Sequence, residues 1–259
     1  MANLIVIGAT GDVGRGIVGA LMAEGHEVAA VARNLAGLEA LRQELGAPPA
    51  LHIVRGSLAD DEAAAKLRDA IRAVLPSIDG VAVSVNAARE RTDLLSLGSD
   101  RFAEFLSGDL VTHFTAARTF VPALSVGGVY VGIGGGSADF ILEGGAHMSI
   151  AQAALRMMHR ALAHETAARG VHLKQLTVAS VVNGATTRAQ ADPAWVTAEE
   201  IGAQVAAMIA RPADFPEPVW RIARRDENGR PTITHEGATI AINRPLVGAD
   251  LGAAEIVNN

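Results

Sequence analysis

The 259-residue sequence predicts an α/β domain with a doubly wound parallel sheet of about seven strands and an extra β-hairpin-like tail at its C-terminus. Three observations lead there. Short β-branched runs alternate with longer stretches of helical period, as parallel strands and their helical crossovers require. A glycine triplet closes the first apolar run. With 49% apolar and 19% charged residues, the chain has enough apolar side chains to cover both faces of such a sheet.

The elements follow in order. Leu4 to Ile7 and Val28 to Val31 read as the first two strands, with Ile17, Val18, Leu21 and Met22 on the buried stripe of the helix between them. Leu35, Leu38, Leu41 and Leu45 mark a second helix, Leu51 to Val54 a third strand, and Leu67, Ile71 and Val74 a third helix. Val81 to Val85 is the fourth strand. Phe102, Phe105, Leu106, Leu110 and Phe114 describe a long fourth helix stopped near Pro122, and Val129 to Ile133 a fifth strand before a glycine-rich loop. Residues 149–169 form a long helix ended by Gly170, Val171 to Val178 a strand, and Thr197 with Glu200 a capping box opening another helix. Val219 to Ile222 closes the sheet. Beyond it, an Asn228-Gly229 turn and the alternating stretch Thr232 to Ile242 predict the added hairpin.

The segment Gly8-Ala9-Thr10-Gly11-Asp12-Val13-Gly14 sits between the first strand and the first helix, the context that makes a glycine triplet informative. Glycines there let the backbone approach a pyrophosphate, whose charge is favoured by the free amides of the following helix, as in Rossmann-type dinucleotide sites. At the end of the second strand, where an acidic residue would hold the ribose hydroxyls of NAD, the chain has Arg33 and then Asn34, with no acid before Glu39. A guanidinium welcomes a 2′-phosphate, so the expected cofactor is NADP rather than NAD. Arg15 reads either as a second cation for that phosphate or as a solvated helix residue.

Composition narrows the partners. A net charge of -6 argues against a nucleic-acid binder, and no apolar run reaches the length of a membrane span or of a signal-peptide core. Zero cysteines exclude disulfides and thiolate sites, and a cytoplasmic location is expected. The expected partner is a small-molecule substrate. His159, His164 and His172 are scattered over two elements, and no metal site is expected.

On these residues the chain resembles the short-chain dehydrogenase/reductase family over roughly residues 3–222, closest to members with a Gly-Ala-Thr-Gly-x-x-Gly loop. The resemblance implies one dinucleotide-binding domain over residues 1–222, including a substrate loop at 183–197, with residues 223–259 packed on it or on a partner subunit. It places Asn86, Ala87 and Ala88 at the family's Asn-Asn-Ala-Gly segment beside the adenosine, and Ser57 and Leu58 against the adenine. Ser180, Val181 and Val182 fall at the nicotinamide amide, with Val182 carrying that contact.

The family's chemistry uses Tyr-x-x-x-Lys, whose spacing puts phenol and ammonium on one helix face. Here Met148 and Gln152 stand at those places, Gln152 keeping a hydrogen-bonding head for the ribose, and the one tyrosine, Tyr130, lies inside a predicted strand. The family's serine aligns with Gly134 or Gly135, leaving Ser137 as the nearest hydroxyl, and Asp109 replaces the fourth-helix asparagine. Candidate catalytic groups are therefore His147, Ser137, Gln152, Asp109 and His113. His147 reads as a general acid or as a helix-start histidine facing solvent. Asp109 and His113, one turn apart, read as an oriented carboxylate and imidazole or as a buried structural pair, and Ser137 as a substrate contact or loop punctuation. The helix face of Ile150, Leu155, Met158 and Leu162 suggests a homodimer or homotetramer.

Three functions remain open on the sequence: an NADP-dependent oxidoreductase acting on a small carbonyl, alcohol or activated alkene with a different proton donor; an enzyme of lyase, isomerase or cyclase type; and a dinucleotide sensor without turnover.

Overall fold

Parallel strands joined by helices organise the computed structural model, which describes residues 1–87 and 90–236. In chain order the elements are β1 (Asn3–Ile7), α1 (Asp12–Ala23), β2 (Glu27–Ala32), α2 (Leu35–Glu44), β3 (Leu51–Arg55), α3 (Asp61–Arg72) and β4 (Gly80–Val83). Then come α4 (Ser99–Leu106), α5 (Thr112–Phe120), β5 (Val129–Gly135), α6 (Ala146–Thr166), β6 (His172–Ala179), β7 (Val182–Asn183), β8 (Val196–Thr197), α7 (Ala198–Ala210), β9 (Val219–Arg225) and β10 (Pro231–His235).

The main sheet has the order β10-β9-β6-β5-β4-β1-β2-β3. Seven strands are parallel, and β10 returns antiparallel to β9, with Ile233 opposite Ile222, through a turn at Gly229 (φ 71°). This is the expected doubly wound sheet with its added hairpin. The rest of the predicted tail, residues 237–259, lies outside the described residues, as does Ala88. Alternation along each strand feeds two cores. Leu4 and Val6 of β1 join Ile17, Leu21, Val205 and Met208 on the α1/α7 face, while Ile5 and Ile7 join Leu67, Ile71, Ala116 and Phe120 on the other.

Helices α1 and α7 pack closely because two glycines meet. A Cβ on Gly16 would overlap the Ala198 carbonyl, and one on Gly202 the Gly16 carbonyl. The Thr197 and Glu200 capping box is present, and Gly170 ends the α6 segment at φ 68°.

Three expectations need correction. The predicted fourth helix is α4 and α5 joined by a π-turn at Ser107–Val111, and the extra residue rotates the pattern, leaving Phe114 46% exposed. Leu35 and Val74 face outward instead of lying on buried stripes. On α6, Leu155 is fully buried in its own subunit and cannot belong to a self-association face; Ile150 and Met157 are the large apolar side chains exposed there. Among the described residues no helix is long and apolar enough to cross a membrane.

Candidate dinucleotide site

Strand order reverses between β1 and β4, and at their C-terminal ends a cleft of about 730 Å³ opens, where ligands of such sheets bind. Its lining includes Gly8, Thr10, Gly11, Arg33, Ser57, Leu58, Asn86 and Ala87, eight of the residues expected to hold the cofactor.

The glycine turn is packed tightly at two glycines and open at the third. Gly8 adopts φ 85°, and a Cβ there would overlap the Ser84 carbonyl; one on Gly14 would overlap the Gly8 carbonyl. Gly11 differs, since a Cβ on it would meet only Gly8 O, at 3.6 Å, and so would project into the open mouth that a diphosphate needs. Gly11 N-caps α1 without a side-chain cap, and the helix's own bonding begins at Arg15 N to Gly11 O (2.9 Å). The amides of Asp12, Val13 and Gly14 thus stand at a helix start with its dipole behind them. Val13 packs half-buried on the core and Gly14 is buried, so each presents its backbone amide rather than a side chain at the helix start.

Asp12 turns its carboxylate away, accepting from Thr186 N (3.1 Å) and from the Thr186 hydroxyl. Gly184 makes this possible, because a Cβ there would collide with Asp12 Cβ and Cγ. The loop after β7 is thereby fastened to the first turn of α1. Val182 pairs with Val196 in the short β7–β8 ladder, packs on the core and is absent from the cleft lining.

At the outer end, Arg33 is exposed and has no ion pair among the described residues. Arg55, which the sequence reading missed, stands beside it: Ala32 and Arg55 share a register position, and Arg55 Nε donates to Arg33 O (3.2 Å). The signal was one residue past the predicted third strand, legible only once β2 and β3 are known to be neighbours. Arg15 donates to Thr10 O (3.1 Å) and pairs with Glu44. Asn34 caps α2, accepting from Gly37 N (3.4 Å), and Ser57 Oγ accepts from Ala59 N (3.2 Å).

Asp109 and His113 are both buried, and each holds the backbone after β4. Asp109 accepts from Ala87 N (2.6 Å) and His113 Nε2 donates to Val85 O (3.1 Å), while His113 Nδ1 has no partner. Both therefore brace the cleft floor after β4. Burial, reinforced by the neighbouring His159, pushes the His113 imidazole down to about 3.

His147 is fully buried rather than facing solvent. Its ring lies 4.1 Å from that of Phe105, a cleft residue, and neither ring nitrogen has a partner among the described residues. Gln152 Oε1 accepts from Gly135 N (2.6 Å), which fixes the end of β5 and leaves the amide NH₂ as a donor. Ser137 is half-buried in the turn Gly136–Asp139. Tyr130 is fully buried, its hydroxyl donating to His113 O (3.4 Å), and burial raises its pKa far above that of an ordinary phenol. No cluster of metal-ligating side chains occurs among the described residues.

The family model described as enoyl-(acyl carrier protein) reductase matches residues 8–214. No curated protein sequence matches this one. Among solved structures, a short-chain dehydrogenase/reductase variant from Serratia marcescens is similar at a TM-score of 0.76 and 17% identity, covering 86% of this chain and 95% of the other. A dehydrogenase/reductase from Sinorhizobium meliloti gives 0.75 at 21% identity, with 86% and 92% covered. A short-chain dehydrogenase/reductase from Brucella melitensis gives 0.74 at 19%, with 86% and 94% covered. At these identities the structures speak for the fold, and the family match spans most of the sequence. With its glycine turn, switch-point cleft and strand order, this chain belongs to the short-chain dehydrogenase/reductase family.

Proposed function

We propose that the chain is an NADP(H)-dependent oxidoreductase acting on a small carbonyl, alcohol or activated alkene, with a proton donor other than tyrosine. The observation that supports it best is the cleft itself, with helix-start amides at one end and Arg33 at the other, Arg55 standing beside Arg33 just outside the lining and neither guanidinium carrying a carboxylate partner among the described residues. A 2′-phosphate dianion between Arg33 and Arg55 meets both charges, whereas the bare ribose of NAD leaves them unused. Bound there, the dinucleotide supplies or accepts the hydride.

The chain's own residues position and enclose. Asp109 and His113 hold the floor on which the adenosine half rests, and the Gln152 amide is a donor for the nicotinamide ribose without the charge of the lysine it replaces. The Asp12–Thr186 contact fastens the loop after β7 to the first turn of α1. For the proton, His147 has two unused ring nitrogens but lies behind Phe105, so the ring must swing aside for His147 to reach substrate; otherwise water donates.

Fluorescence titration with NADPH and NADH tests the cofactor reading. NADPH is expected to bind more tightly and Arg33→Asp to reverse the preference; an unchanged ratio removes Arg33 from the site. Oxidation of NADPH on screening ketones, aldehydes and enones tests turnover. With a substrate in hand, His147→Ala that retains full activity assigns the proton to water.

A further inference from the structure

We propose that a second pocket, at the opposite end of the sheet from the dinucleotide cleft, binds a small organic carboxylate with an apolar body, its charge taken by Lys174. The pocket measures about 690 Å³ and lies between the C-terminal half of α6, the start of β6 and the segment Pro216–Pro218. Lys174 is only 5% exposed and contributes to its lining. Its ammonium makes one long bond, to Pro216 O (3.4 Å), and among the described residues no carboxylate stands within ion-pair distance.

A buried charge normally carries a partner, because removing an ammonium from water is costly unless an anion compensates. The available acids do not meet the need. Glu236, on the rim, is consumed by Arg156 and Arg160, and Glu217 acts on Lys174 only through space. Burial consequently pushes the lysine below its ordinary value, and His172, facing the same space, is pushed down by burial and by the lysine's charge. Met157, Ala161, Leu173 and Pro218 supply an apolar wall. A carboxylate at Lys174 with a short hydrocarbon body along that wall satisfies both features at once. The pocket is separate from the dinucleotide site: Lys174 lies roughly 17 Å along β6 from Ala179 at the cofactor end. Helix α6 connects them, carrying Gln152 near one end and His164 at the other.

Octanoate is the probe, titrated by calorimetry into the full chain, with octanol as the uncharged control. Saturable binding of octanoate but not octanol is expected, with a rise in Tm. Lys174→Met, which keeps side-chain length and removes the charge, is expected to weaken octanoate at least tenfold while NADPH affinity is unchanged. It should also melt no lower than wild type, since an uncompensated buried charge is gone. Should that variant fail to fold, Ala161→Phe keeps the lysine, fills the pocket and is expected to abolish octanoate binding. Absence of octanoate binding to the wild type, equal binding of octanol, or undiminished binding in a folded variant overturns the proposal.

Discussion

Tyr130 is the one tyrosine of the chain, in a family whose chemistry turns on a phenol, and its surroundings take it out of contention. It points into the core from β5, bonds the His113 carbonyl and no other group among the described residues, and is held protonated by burial. Tyr130→Phe is therefore expected to leave NADPH affinity and turnover unchanged and to cost no more than about 1 kcal/mol in urea unfolding, the worth of one long neutral hydrogen bond. A large loss of turnover without loss of stability contradicts this. Arg55 carries the opposite expectation: Arg55→Ala should weaken NADPH roughly tenfold, the loss of about 1.4 kcal/mol from one charge-assisted contact, and leave NADH unaffected. These two residues also mark how far sequence reading reaches. Tyr130 was placed by its strand run and Arg33 by its distance from the glycine turn, both local signals. Arg55 and the burial of His147 behind Phe105 depend on which strands and helices become neighbours, which no local pattern encodes.

Elements were legible where periodicity alone sets them and illegible where a local irregularity intervenes. The glycine turn, the capping box at Thr197 and the strand runs all fell where their residue types require. The fourth helix was read as continuous because its apolar spacing does not reveal the π-turn at Ser107–Val111 that divides it, beyond which Phe114 is half-exposed. Close helix packing was equally invisible, since Gly16 and Gly202 look like weak helix residues until α1 and α7 are seen in contact. Gly202→Ala gains helix propensity of roughly 1 kcal/mol yet places a methyl on the Gly16 carbonyl. Overpacking of about 1–3 kcal/mol is expected to win, giving a lower Tm. A variant that melts higher than wild type shows that the helices can separate cheaply. The loop fastened by Asp12 makes a kinetic prediction: Asp12→Ala should speed hydrogen exchange in residues 183–190 while leaving that of the β-sheet as it was.

At the scale of the whole molecule, two neutral histidines at the centre of the fold make stability depend on pH. His113 and His159 are fully buried, with ring centroids 6.0 Å apart. Each donates one N–H to a backbone carbonyl, Val85 O and Leu155 O, leaving the other nitrogen without a donor partner. Burial lowers them to about 3 and about 4 from an ordinary 6.5, and each is further governed by its neighbours: His159 lowers His113, while the carbonyl bonds oppose the shift. Because the folded values lie below the unfolded one, the unfolded chain takes up protons first as pH falls. The stabilising difference is fully present above 6.5 and is withdrawn on descent toward the folded values. Each histidine contributes a slope of about 1.4 kcal/mol per pH unit, so two together remove roughly 5 kcal/mol between neutrality and pH 4.5, comparable to the whole stability of many domains. His172, lowered by burial and by Lys174, adds to the decline in the same direction, so the comparison of wild type with His159→Gln carries the assignment. Urea unfolding at intervals from pH 7.5 to 4.5 should show flat stability at first and then a steep decline below about 6.5. His159→Gln is expected to be less stable at pH 7 but to lose stability with pH at about half the wild-type slope. A parallel decline in the two proteins would mean that His159 is not the neutral, buried group whose protonation opens the core.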